Sequence, residues 1–428
     1  MGAIDIHTHS VPRQWPDLGA GKPWLRIDSE RDAMIMIDSR EFRPIGAECW
    51  DPDIRLRDMD DDNIDIQVVS PTPVFFNYDA SPREGEKIAR IFNDLAIEMC
   101  APVGPRLVPF CQVPLQNTDA ACRELERAVQ AGHRGVEIGN HVGDRDLDDA
   151  GIVTFLQHAA ALDVPVFVHP WDMPDSPRLD RWMARWLTGM PSETHLSIIA
   201  MILGGVFDRI PPSLRICFAH GGGSFSFWLG RFENAWHQRS DLIAKSALPP
   251  SHYLDRFSVD SVVFHPSALR NLVETLGSSQ VMVGSDYPYP LGERPAGEVV
   301  RRSDFLTEAQ TAAILHGNAR RYLGEATVEL GLKKASAALT SVRAHVVEAR
   351  STGSAGDSVR VRFSDARDDR SPRWHRYAVA VTLTKREPIQ DRGSVGGALS
   401  GPPATPTTLE RAYLRLPLEG GHRISCSE

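Results

Sequence analysis

Short β-branched runs recur along most of the chain, at residues 3–9, 64–70, 107–113, 135–138, 164–169, 215–220, 257–260 and 281–286. Between them lie stretches of helical periodicity. Residues 84–100 place Ile88, Ile91, Phe92 and Leu95 on one face, and 118–131 and 307–322 repeat the pattern. Strand alternating with helix is the signature of βα units around a parallel sheet. Eight such strands predict an α/β fold, a (β/α)8 TIM-like barrel occupying residues 1–328. Residues 12–52 fit no βα unit and read as an insertion after strand 1, at the end of the barrel where insertions cover the active site.

Beyond residue 328 the pattern changes. Gly, Ser, Pro and Arg dominate 329–428, and only 377–384 reads as a strand, so composition favours a poorly ordered C-terminal tail. Charge changes at the same place. The whole chain carries 47 Lys and Arg against 56 Asp and Glu, yet residues 331–428 hold 16 against 10. The body is therefore acidic, which excludes nucleic acid as its expected partner and leaves any anionic ligand to a few local arginines. Six cysteines at irregular spacings, without a CxxC pair, suit reduced thiols. With no apolar run long enough for a membrane span and no leader-like opening, the expected setting is cytoplasmic.

The chemistry gathers at the ends of the strands. Asp5-Ile-His7-Thr-His9 closes the first run, and strand alternation turns both histidines to one face with Ile4 and Ile6 on the other. By itself this HxH is weak, and two incidental histidines explain it better than a metal site does. Three further apolar runs, however, end in His169, His220 and Asp286. In a parallel barrel these ends share the catalytic face, and independent core histidines have no reason to collect there.

These strand ends resemble the amidohydrolase superfamily in its metal-dependent decarboxylase branch: HxH on strand 1, His on strands 5 and 6, Asp on strand 8. The likeness runs from residue 4 to about 322, through Phe42-Arg43-Pro44, Trp50-Asp51-Pro52, Gln112-Val-Pro-Leu-Gln116, Ile138-Gly-Asn-His141, Val168-His-Pro-Trp-Asp-Met173, His220-Gly-Gly-Gly-Ser-Phe225, Asn234-Ala-Trp236 and Gly284-Ser-Asp-Tyr-Pro288. It implies a zinc-dependent, non-oxidative decarboxylase of a small dicarboxylate. His7, His9, His169 and Asp286 would hold one zinc, with Co²⁺, Fe²⁺ or Mn²⁺ as alternatives, and His220 would activate water at the metal. Arg43 and Arg231 would grip the substrate's carboxylates, Arg231 reaching across a homodimer, and Trp182 would close over the metal. Glu137 departs from the pattern, which has a neutral glutamine in a similar strand. A surface or salt-bridged role is expected for it, with recruitment of a second metal as the other reading.

The residues support this chemistry independently. Three neutral imidazoles and one carboxylate leave a charge of +1 on Zn²⁺ and an open position, and such an ion lowers the pKa of water from roughly 15.7 to about 7. An imidazole titrates near neutrality and can take the proton. Planar guanidinium forks match carboxylates, although surface ion pairing explains Arg43, Arg231 and Arg239 almost as well. Arg239 reads as an interface or supporting residue. Gly221-Gly222-Gly223 reads as a tight turn rather than a phosphate cradle, because no P-loop lysine follows. His133, His141, His158, His195 and His237 lie away from strand ends and read as structural or surface residues. The same metal site also serves a hydrolase, or a decarboxylase of a related aromatic acid, and a non-catalytic scaffold is the reading from a different class.

Overall fold

In the computed structural model of the chain, the eight expected strands are all present. The structure describes residues 2–243, 245–324 and 327–328, and in a second unit the backbone of 346–351, 359–363, 415–417 and 423–425. The strands are β1 (Ala3–Asp5), β2 (Ile64–Pro71), β3 (Leu107–Cys111), β4 (Gly135–Gly139), β5 (Val166–His169), β6 (Ile216–Phe218), β7 (Ser258–Asp260) and β8 (Val281–Met282). They pair in parallel in sequence order. The ring closes through Ile6 N to Val283 O at 2.9 Å and His9 N to Tyr287 O at 2.8 Å.

Every barrel strand is buried, because helices cover its outer face. Val136, Ile138, Val166, Val168, Ile216 and Phe218 join Leu125, Phe155, Ile198, Met201 and Leu272 from the helices in one core. Alternate residues, Ile4, Ile6, Ile66, Phe110, Phe167 and Cys217, form a second. Four strands, β1, β3, β6 and β8, end before the runs the sequence predicts, the last two because of their terminal residues. His220 and Asp286 have φ of 54° and 59°, left-handed values that no strand accommodates. The two residues that end the apolar runs thus turn out of the sheet at its carboxyl edge.

The helices that position the site follow sequence logic. A capping box of Ser81 and Glu84 opens α2 (Pro82–Cys100), which buries Ile88 and Phe92. The expected helix at 307–322 is instead Glu308–Ala312 and Asn318–Leu323, joined by a wide π turn at Ala313–Gly317. The insertion at 12–52 is a three-stranded antiparallel sheet of Pro23–Ile27, Asp32–Ile37 and Arg40–Gly46. Its Ala33, Ile35 and Ile45 pack with Val11, Phe75 and Phe92.

The chain divides into two compact units, Met1–Ala335 and Ser336–Glu428. The second contains antiparallel pairs of Val346–Ser351 with Val359–Phe363 and of Arg415–Pro417 with Arg423–Ser425. The strand expected at 377–384 lies outside the described residues.

Candidate metal centre

Five side chains from β1, β5, β6 and β8 converge at the carboxyl ends of the strands. Nε2 of His7 lies 3.1 Å from Nε2 of His9 and 3.5 Å from Oδ1 of Asp286, and His9 Nε2 lies 3.2 Å from the same oxygen. Ligands about 2.0–2.1 Å from a tetrahedral zinc are about 3.3 Å apart, so these three edges fit one ion. Ligand atoms of His7, His169, His220 and Asp286 also lie within 4.8 Å of one another. His220 Nε2 faces the other Asp286 oxygen at 3.8 Å.

Ring orientation explains how the imidazoles are aimed. His7 Nδ1 donates to Asp260 Oδ2 at 2.7 Å, and His169 Nδ1 faces the Pro170 carbonyl at 2.9 Å. Each such contact fixes a tautomer whose Nε2 lone pair points inward. His169 Nε2 is buried without a hydrogen-bond partner, as a nitrogen reserved for a cation would be. Burial, reinforced by the neighbouring imidazoles, holds His169 well below the ordinary histidine pKa, and burial first of all lowers His9 to about 4. Both are therefore neutral and ligand-competent at pH 7. For His7, burial opposes protonation, but the Asp260 hydrogen bond and the charge of Asp286 prevail and raise its pKa. The same carboxylates favour any cation at that nitrogen.

Asp260 anchors two parts of the site at once. Besides His7, it accepts the backbone N–H groups of His220 at 2.9 Å, Gly221 at 2.8 Å and Val262 at 3.0 Å. Burial opposes its ionisation, yet His7 and these donors hold its pKa below the usual carboxylate value. Beneath the HxH segment, Asp5 accepts from the Ser285 hydroxyl and from the backbone N–H groups of Ser285 and His7. Buried Arg55 donates to Thr8 Oγ1 and Gln67 Oε1, both at 2.9 Å, and to the His9 carbonyl. Gly284 is required by close approach, since a Cβ there would meet Asp260 Cβ at 2.8 Å and His7 Cβ at 2.9 Å.

At the rim, the insertion brings Arg43 over the Tyr289 ring at 4.4 Å, and that ring lies 5.5 Å from His9. Arg43 is among the charges that lower His9. Among the described residues, no contact joining the cluster involves Arg231 or Trp182. Arg231 is exposed on α6 (Phe225–Ile243), a helix that also exposes Phe227 and Trp228. Trp182 is 74 % exposed, with Arg181 stacked on it at 4.1 Å. Arg239 pairs with Asp241 at 3.2 Å. The glycines after His220 make a tight turn, where a Cβ on Gly223, at φ +63°, would lie 2.0 Å from the Pro191 carbonyl oxygen.

The amidohydrolase family model matches residues 4–324. The chain belongs to the amidohydrolase family, in its decarboxylase branch. This amidohydrolase is 39 % identical over 329 residues to 2-amino-3-carboxymuconate-6-semialdehyde decarboxylase of Dictyostelium discoideum, covering 75 % of this chain and 91 % of the relative. It is 31 % identical to the Caenorhabditis elegans protein of the same name, covering 75 % and 94 %. Among solved structures it resembles the apo form of Metarhizium anisopliae IDCase, with a TM-score of 0.66 at 23 % identity, covering 75 % of this chain and 97 % of that one.

Of the two roles expected of Glu137 in this amidohydrolase, the surface one is ruled out: it is fully buried in β4, beside Phe167 of β5, with neither oxygen hydrogen-bonded. Alternation explains this, because Val136 and Ile138 face the helices and the residue between them must face inward. Its Oε1 lies 3.9 Å from His9 Nδ1, and burial, then Asp286, push its pKa well above the ordinary value. Sequence reasoning assigned no role to Asp260, although it closes an expected strand as His169, His220 and Asp286 do. It also missed Asp5, Ser285 and Arg55, whose partners are remote in the chain.

Proposed function

We propose that this amidohydrolase removes a carboxylate, as CO₂ and without an oxidant, from 2-amino-3-carboxymuconate 6-semialdehyde to give 2-aminomuconate 6-semialdehyde. One observation carries the reading: His7, His9 and Asp286 present donor atoms at ligand spacing, with His169 and His220 beside them, at the open end of the barrel. The names of relatives matched over nine-tenths of their length supply the substrate.

His7, His9, His169 and Asp286 are the zinc ligands in this reading, a His₃Asp set that zinc accepts and that also suits Co²⁺, Fe²⁺ or Mn²⁺. Bound there, zinc supplies a Lewis acid that lowers the pKa of water. His220 is the acid/base. Its side chain is 13 % exposed, whereas those of His7 and His9 are sealed at 0 % and 1 %. Its Nδ1 has no anchoring acceptor, which leaves the ring free to exchange a proton. His220 takes a proton from water and gives it to the carbon bearing the departing carboxylate while the hydroxide adds to the neighbouring carbon. Loss of CO₂ then expels that hydroxide, which solvent reprotonates, so a C–H bond replaces the C–C bond and no redox change occurs. Arg43 grips one carboxylate and the partner subunit's Arg231 another. The exposed Phe227 and Trp228 on the same helix supply an apolar face for that homodimer. Trp182 closes over the site, and the setting is cytoplasmic.

The test is direct assay with freshly generated substrate, with metal content measured on the same sample. Loss of substrate absorbance with stoichiometric CO₂ is expected. Hydrolysis without CO₂ would reject the reading.

A further inference from the structure

The three site imidazoles sealed from solvent share one arrangement with one gap in it. Each turns Nε2 inward and must satisfy Nδ1 from behind. His7 has Asp260 at 2.7 Å and His169 has the Pro170 carbonyl at 2.9 Å. Among the described residues no hydrogen-bond partner reaches His9 Nδ1, which is buried. Both oxygens of Glu137 are likewise buried and unpartnered, and Oε1 lies 3.9 Å from that nitrogen. Two complementary groups, each otherwise unsatisfied and each costly to bury alone, face one another across about 1 Å more than a hydrogen bond spans.

We propose that Glu137 is a positioning residue whose carboxyl oxygen accepts the His9 Nδ1–H and so fixes Nε2 toward the metal. The inference rests on the metal-site reading above and adds to it the anchor of the third imidazole. It also accounts for the departure at this position, since glutamine and glutamate both offer an acceptor oxygen there. Glu137 touches no reacting atom, and its effect passes through His9.

The test loads the full chain with Co²⁺ and compares wild type, Glu137→Gln and Glu137→Leu. Affinity is read by chelator competition and geometry by the cobalt d–d absorption. Glu137→Leu should weaken Co²⁺ binding about 10- to 100-fold, the usual effect of losing such an outer partner, and alter the band. Glu137→Gln, which keeps an acceptor, should recover most of the affinity and the wild-type band. Wild-type affinity and spectrum in Glu137→Leu would overturn the inference, as would a second equivalent of metal that this variant loses. Should Glu137→Leu fail to fold, nitrogen-15 histidine NMR of the zinc-loaded wild type decides. A proton on His9 Nδ1 and metal on Nε2 support the proposal, and metal on Nδ1 overturns it. A wild-type chain that takes up no Co²⁺ overturns the metal reading itself, an outcome distinct from an unaffected Glu137→Leu.

Discussion

The two sides of the metal centre are built differently. On the β7 and β8 side, the polar groups that frame the site are tied together: Asp260 holds the His7 ring and the turn carrying His220, and Asp5 holds Ser285. Toward β4 and β5, His169 Nε2 and both oxygens of Glu137, together with the His9 Nδ1 that lies 3.9 Å from Glu137, are buried without hydrogen bonds. Buried polar groups without partners destabilise a fold, so an unsatisfied cluster persists where another role retains it. The tied side sets the geometry in advance; on the other side His169 Nε2 keeps its lone pair for a cation, and His9 Nδ1 and Glu137 have only each other to pair with.

The sharpest way to break this contrast is to remove a ligand from each side. Asp286→Ala and His169→Ala should both release metal and abolish turnover, as measured by metal analysis after gel filtration and by CO₂ release. Metal retained in both variants would remove the ligand assignment. His220→Ala separates chemistry from binding. It should keep its metal while kcat falls by ~10²- to 10⁴-fold, the usual worth of a general base. Asp260→Asn probes the tied side itself, weakening metal affinity about 10- to 100-fold by loosening His7. Metal competition would show this, and unchanged affinity would mean that the tie is not needed.

The smallest effect uses a buried histidine away from the site. His133 shares the burial of His9, and burial lowers it to about 4. The unfolded chain takes up this proton as pH falls through roughly 6.5, while the folded chain does not until about 4, so stability falls with pH across that window. His133→Gln should remove about 1 kcal/mol of the stability lost between pH 7 and 5.5, measured by denaturant titration of metal-free protein. An unchanged slope would mean that His133 binds its proton equally well in both states.

How much of this was legible in the sequence follows the same division. Eight periodic strands and four of their terminal residues could be read directly, because alternation and strand ends are local properties. Asp260 ended an expected strand, but its hydrogen bond to His7 joins opposite ends of the barrel segment and leaves no local trace. Glu137 misled because a carboxylate reads as outward-facing, although alternation with the apolar Val136 and Ile138 turns it inward beside Phe167. Arg43 over Tyr289 depended on how the insertion folds back, which periodicity does not encode.

The central claim is that His9 is a ligand and His220 is not, although both rings reach Asp286. Metal content of His9→Ala and His220→Ala, after identical loading and gel filtration, tests it most directly. The account predicts less than a tenth of an equivalent per chain, roughly the loss expected with one of four ligands gone, in His9→Ala and about one equivalent in His220→Ala. Metal lost from His220→Ala and kept by His9→Ala would contradict it.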